Sequence, residues 1–387
     1  MYDLVVKGGR VIDPSQDVDG VMDVAVADGK IALVAKDIAR DGAREVVDAR
    51  GKIVTPGLID SHCHVSGSLL KLGVDPDVAG VSQGVTTVLD AGSTGEAVFG
   101  GFPRYVVPSS RTRVYCFLHL ASQGLSISPE LRDRDEINIE ATTATIEAHR
   151  DLIKGVKLRL VGKLVARDGA KVVETAKKVA GKFGMPIMVH IGDQQKEVAP
   201  GVTRDTLRLM ERGDILSHVY TAQQGSALGP DGVVFPELAD AMKRGVILDT
   251  AQGRFNLSYR VAREMMKQGI MPNTLSTDLT APSARGPVFG LTVTLSKFMA
   301  LGLDLKQIIQ MATVNAARAL GEDARIGALK PGMEGDISVL ELRSGRWRLE
   351  DSEQKTVEVD RLIAPVMTIK GGQVIPAKPL AQPEPVG

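Results

Sequence analysis

The sequence predicts an α/β protein, a (β/α)8 TIM barrel with a small β-sandwich domain formed by its N- and C-terminal segments. Two observations carry this expectation. From about Ile53 onward, apolar strand-like runs alternate with amphipathic helical stretches, the pattern of βα units around a parallel sheet. Outside that region the chain consists of short β-rich runs without a helical period. A third fact fits both: 41 glycines and 19 prolines are spread along the chain, as many short connections require.

Taken in order, the runs LVVKGGRVI, DVAVADGKIALVA and EVVDARGKIVTPG are separated by Asp-Gly and Gly-Lys steps that read as tight hairpin turns. Eight barrel strands follow, at IVTPGLIDSHCHV, TTVLDAG, RVYCFLHLA, GVKLRLVG, PIMVHIG, DILSHVY, VILDTAQG and LSTDLT. Between them lie helical patterns such as GAKVVETAKKVAGKFG, which stops at Gly184 just before Pro186, and VFPELADAMKRG. LDLKQIIQMATVNAARALG reads as one closing helix, after which GDISVLEL, RWRLE and VMTIKGGQVI return to strands. The expected division is a barrel over residues 55–324 and a composite β domain from residues 1–54 and 325–387. The tail AKPLAQPEPVG has no periodicity and reads as a loosely held terminus.

Composition narrows the function. Hydrophobic residues make up 43% and charged residues 24%, ordinary for a globular protein with a sizeable core. With 47 basic and 47 acidic residues the chain has no global field for holding nucleic acid or a membrane surface, so the expected partner is a small-molecule substrate, with self-association into a homo-oligomer left open. Two cysteines, Cys63 and Cys116, can build neither a disulfide framework nor a thiolate zinc finger, and no signal sequence is evident at MYDLVVKGGRVID. A cytoplasmic location is the expectation. No GxGxxG or GxxxxGK[ST] loop follows a strand, and no GxSxG elbow is present, which removes the starting points for nucleotide binding and for serine hydrolysis.

What remains is a set of histidines. His62 and His64 stand two apart on a predicted strand, so a period of two directs both imidazoles to one face, where together they can ligate one metal. Cys63 between them faces the other way and reads as packing. His190 ends PIMVHIG and His218 lies near the end of DILSHVY, toward the C-terminal mouth where barrel enzymes place their chemistry. Asp278 in LSTDLT ends the eighth run, where a carboxylate can bind metal and accept a proton; the alternative is a helix N-cap, which leaves the ring of histidines unexplained.

The phrase TPGLIDSHCHV resembles the start of the amidohydrolase superfamily barrel, and His190, His218 and Asp278 fall where that superfamily places its strand-five, strand-six and strand-eight residues. STDLTAPSARGPVFGLTVTLSKF and GVKLRL are most similar to its deacetylase-type subgroup, whose nearer relatives are dihydroorotases, hydantoinases and dipeptidases. The resemblance implies two divalent ions, with zinc the first choice for histidine and carboxylate ligands, and a strand-four lysine converted to a bridging carbamate. Lys157 is the candidate, because a barrel-facing ammonium is costly to desolvate; Lys154, three residues away, has the opposite parity. The implied arrangement has His62, His64 and Asp278 on the more buried ion and His190 and His218 on the other. A bridging hydroxide then attacks an acyl ester or amide while Asp278 moves the proton.

Arg159 shares the parity of Lys157 and lies nearer the mouth. It can clamp a substrate carboxylate or form an internal ion pair. Arg285, after Asp278, is a second candidate for substrate binding, and His119 a possible pocket-lining residue. His149 lies in a helical stretch and reads as surface. The leading activity is removal of an acyl group from a small carboxylate-bearing acetylated ester or amide. The rivals are opening of a cyclic amide and a non-catalytic scaffold of the same fold.

Overall fold

A computed structural model describes residues 1–386. The chain opens with β1 (Tyr2–Asp13), β2 (Val18–Ala27), β3 (Lys30–Ala35), β4 (Ala43–Asp48) and β5 (Ile53–Pro56). Asp28 and Gly29, both at positive φ, make the two-residue turn that the Asp-Gly step predicts between β2 and β3, since that turn type needs left-handed backbone at both positions. The Gly-Lys step at Gly51–Lys52 is no hairpin. It joins β4 to β5, and both strands run parallel to β1.

The barrel strands are β6 (Leu58–Cys63), β7 (Val85–Gly95), β8 (Arg113–His119), β9 (Ile153–Arg159), β10 (Ile187–His190), β11 (Ile215–Ser217) and β12 (Ile247–Asp249), paired in parallel in that sequence order. The eighth run, LSTDLT, closes the ring without forming a regular strand. Thr274, just before the run, bridges Asp249, Leu279 within it bridges Cys63, and Gly253 N–H donates to Thr277 O at 2.8 Å. The ladder is interrupted because Asp278 sits at φ +49°.

Amphipathic helices cover the outside. In Lys171–Gly181 the side chains of Val172, Val173, Ala176, Val179 and Ala180 form one buried stripe at helical spacing. The single closing helix expected over 303–321 is instead two, Leu305–Met311 and Val314–Ala319. At the break, the Ala312 carbonyl accepts from Ile59 N–H of β6 at 2.8 Å, so a barrel strand takes the acceptor that a continuous helix would use.

After the barrel come β13 (Ile337–Glu350), β14 (Thr356–Lys370) and β15 (Gln373–Pro376). These join the N-terminal strands in one eight-stranded sheet, in the order β15-β14-β13-β5-β1-β2-β3 with β4 beside β1. Val54 of β5 pairs with Val11 of β1 on one side and Val339 of β13 on the other, so the two ends of the chain share one core, with Leu4, Val24, Ile337 and Ile369 packed together. The sheet is tied to the barrel by ion pairs: Asp336 accepts from Arg113 of β8 at 2.6 Å and from Lys370 of β14 at 2.8 Å. The tail is held more firmly than its composition predicts, since Ala377, Lys378 and Val386 all donate backbone hydrogen bonds. Among the described residues no helix is long and apolar enough to cross a membrane.

Candidate metal centre

At the C-terminal mouth of the barrel a cavity of about 490 Å³ opens over His62, His64, Lys157, His190 and Asp278. Period-two geometry on β6 brings His62 and His64 to the same side, and their ring centroids lie 5.9 Å apart. Asp278 reaches them because the segment carrying it is stitched to β6: its N–H donates to His62 O at 2.6 Å, and His64 N–H donates to Leu279 O at 2.9 Å. The Asp278 carboxylate then lies 3.0 Å from His64 Nε2 and 3.7 Å from His62 Nε2. One ligand atom from each of these three residues falls within 4.8 Å of the others, close enough for one ion.

Each histidine has one ring nitrogen occupied by the protein. His62 Nδ1 lies 3.2 Å from both Asp249 Oδ2 and Ser217 Oγ. His64 Nδ1 lies 2.9 Å from Ser93 Oγ, which itself donates to Asp90. His218 Nδ1 donates to Ala251 O at 2.7 Å, and His190 Nε2 to Gly192 O at 3.1 Å. Such partners fix the tautomer and leave the second nitrogen free to ligate. For His218 that second nitrogen, Nε2, is buried and has no partner in the protein. The ring of His218 stands 4.1 Å from His190 and 5.2 Å from His62, centroid to centroid. Burial lowers the pKa of His62 and His190 well below the usual imidazole range and that of His218 to about 3, so all three are neutral and their lone pairs available.

Lys157 comes from the middle of β9 and is 1% exposed. Its Nζ sits 3.3 Å from His62 Nε2 and 3.4 Å from Met188 Sδ, with no carboxylate within ion-pair distance among the described residues. Burial brings it down to about 7, against the attraction of Asp278. The space for its stem exists because residue 92 is glycine: a Cβ there would stand 2.5 Å from Lys157 Cγ. Lys154 points away from the cavity, as parity predicts, but it is an ion-pair partner rather than a solvated side chain. Its Nζ is 2.6 Å from Glu322 and lies over the Tyr115 ring.

The remaining candidates divide. Arg159 lines the cavity and is also an internal ion pair, with Nη1 at 3.1 Å from both oxygens of Glu130. Burial would raise Glu130, but Arg159 and His119 outweigh it and hold the carboxyl at about 2. His119 does not line the cavity. It is fully buried behind it, because its Nδ1 is turned back to accept from Ala121 N–H at 2.9 Å and its Nε2 faces Glu130 at 3.6 Å. Arg285 is exposed and outside the cavity wall, although Thr280 and Pro282 of the same segment line it.

Several contributors are invisible to sequence patterns. Glu130 lies in a stretch without secondary structure, where no period marks it. Asp249 and Asp90 end or occupy strands and could have been found by the strand-end argument applied to Asp278. Arg254 and Phe255, on the cavity rim after β12, carry no motif.

A parallel barrel whose mouth gathers four imidazoles, a lysine and an aspartate has the donor set of the barrel hydrolases that use a metal centre. The chain belongs to the amidohydrolase family, whose model matches residues 53–375. It is 30% identical over 363 residues to a deacetylase of Brucella anthropi, covering 93% of this chain and 89% of the relative. Among solved structures it is similar to an adenine deaminase, with a TM-score of 0.89 at 28% identity over 97% of this chain and all of that one. It is also similar to a dihydroorotase, with a TM-score of 0.87 at 27% identity over the full length of both chains. The chain is a hydrolase.

Proposed function

We propose that the protein removes the acyl group from a small carboxylate-bearing ester or amide at a centre of two divalent ions. The observation that carries the two-ion reading is the set of histidines held from behind by one ring nitrogen, gathered around a buried lysine that has no ion-pair partner among the described residues. His62, His64 and Asp278 would hold one ion and His190 and His218 the other, with Lys157, as its carbamate, shared between them. Zinc suits these donors, and manganese, iron or cobalt can use the same set. When bound, such ions activate water and polarise a carbonyl.

The protein's own groups do the rest. An unprotonated amine is needed to take up carbon dioxide, and burial without an anionic partner favours the neutral form of Lys157. Asp278, kept ionised by the hydrogen bond from His64 although burial opposes it, accepts the proton of the attacking water and passes it to the leaving oxygen or nitrogen. Asp249 and Ser217 hold His62, and Ser93 holds His64, so neither imidazole must reorient during the reaction.

The similarity to the Brucella anthropi deacetylase supports acyl ester or amide cleavage. The dihydroorotase and adenine deaminase structures supply the alternatives. One screen decides among them: metal-loaded enzyme against acetylated hydroxy acids, N-acyl amino acids, dihydroorotate, hydantoins and adenine under identical conditions, with metal content measured in parallel. Turnover of the acyl compounds alone is expected. Turnover of cyclic amides or adenine alone replaces the reading, and two bound ions with no turnover would favour the scaffold.

A further inference from the structure

We infer that Arg254, on the rim after β12, is the residue that selects a substrate carboxylate; this rests on the acyl-hydrolase reading and deepens it. Besides the histidines, the cavity wall carries five ionisable side chains: Lys157, Arg159, Asp193, Arg254 and Asp278. Four of them are already committed. Lys157 and Asp278 lie among the candidate metal ligands. Asp193 accepts from the backbone N–H groups of Gln195, Glu197 and Val198, so its charge serves the turn that follows β10.

Arg159 is spent on Glu130. The carboxylate is 1% exposed and held ionised, so the pair brings no net charge to the cavity, and moving Arg159 toward a ligand would strand a buried anion. A substrate carboxylate needs an uncompensated cation.

Arg254 is that cation. Its guanidinium makes no ion pair or hydrogen bond among the described residues, and it lies 5.5 Å from the centre of the Phe255 ring. The side chain is exposed, but its backbone is fixed to the centre. Ala251 O accepts from His218 Nδ1, Gln252 N–H donates to Ser276 O at 3.1 Å and Gly253 N–H to Thr277 O at 2.8 Å. Gly253, at φ +54°, packs so closely that a Cβ would stand 2.3 Å from Asp278 Oδ2. Arg254 therefore starts one residue from the carboxylate that handles the proton, with its guanidinium over the Phe255 ring. An anionic group on the substrate would be read on the β12 side of the mouth, while the Arg159–Glu130 pair offers its remaining N–H groups to a neutral acceptor.

The test compares N-acetylalanine with N-acetylalaninamide, which differ only in the charge. In Arg254→Met the ratio of kcat/KM for acid over amide is expected to fall tenfold or more, mainly through KM, with partial recovery in Arg254→Lys. Arg159→Met should lower both substrates together. An unchanged ratio in Arg254→Met, or a ratio lost only in Arg159→Met, overturns the inference. Binding separates this from failure of the hydrolase reading: N-acetylalanine is titrated calorimetrically into Asp278→Asn and into Asp278→Asn/Arg254→Met, where turnover plays no part. Weaker binding in the double variant by tenfold or more supports the inference even if the wild-type enzyme hydrolyses neither compound. Equal affinity, or no binding to either variant, overturns it.

Discussion

Two lysines three residues apart on β9 have opposite fates, and that contrast supplies the sharpest mutational test. Lys157→Ala should lose most bound metal and nearly all activity, while Lys154→Ala, which breaks the pair with Glu322 and the contact with the Tyr115 ring, should keep its metal and lose stability modestly. Metal analysis of both purified variants checks this; the reverse pattern would remove Lys157 from the centre. At Asp278 the expectation separates ligation from proton transfer. Asp278→Asn retains a carbonyl oxygen for metal but cannot take a proton, so metal content should largely persist while kcat falls by about two orders of magnitude or more. Near-normal turnover would place the base elsewhere. His62, His64, Lys157 and Asp278 were legible because strand parity and strand-end position are written in the sequence. The fate of Arg159 was not, since its partner Glu130 comes from an irregular loop that only the folded chain brings near.

Strands and their closures set what those residues can do. The eighth run was legible as a position in the ring but not as an irregular segment, because the left-handed backbone of His218, Ala251 and Asp278 is imposed by the bonds around the centre and not by residue preference. The break in the closing helix was hidden for the same kind of reason, as a barrel strand competes for the Ala312 carbonyl. Within β7, Gly92 is the element-level counterpart of Lys157. It adopts φ +83°, so Gly92→Ala should cost about 1–2 kcal/mol in backbone strain alone, and the added methyl would press on the lysine stem. We expect a folded variant with a lowered melting temperature and reduced metal content. Full metal content would show that the stem can yield without disturbing the centre.

At the scale of the whole molecule, the joint between barrel and sheet is electrostatic as well as apolar. Burial pushes the Asp336 carboxyl up, but Lys370 and Arg113 outweigh it and leave it below the usual carboxylate range. Its contribution to stability is therefore complete above about pH 4 and is lost as the pH falls through the lowered value. Asp336→Asn should destabilise the protein by about 3 kcal/mol at neutral pH, because two cations lose their buried partner. The wild type and variant should converge on acidification, and melting curves between pH 7 and pH 3 test this. A constant gap across that range would exclude the ion pairs as its source.

The position of β5 between β1 and β13 also has a consequence for biosynthesis. During translation the N-terminal strands leave the ribosome long before Ile337, so the flank of β5 that Val339 later covers stays open while the whole barrel is being made. That open flank can recruit another nascent chain. A chain stalled before residue 337 should therefore depend on chaperones and pass into aggregates, even though every candidate metal ligand has already been synthesised.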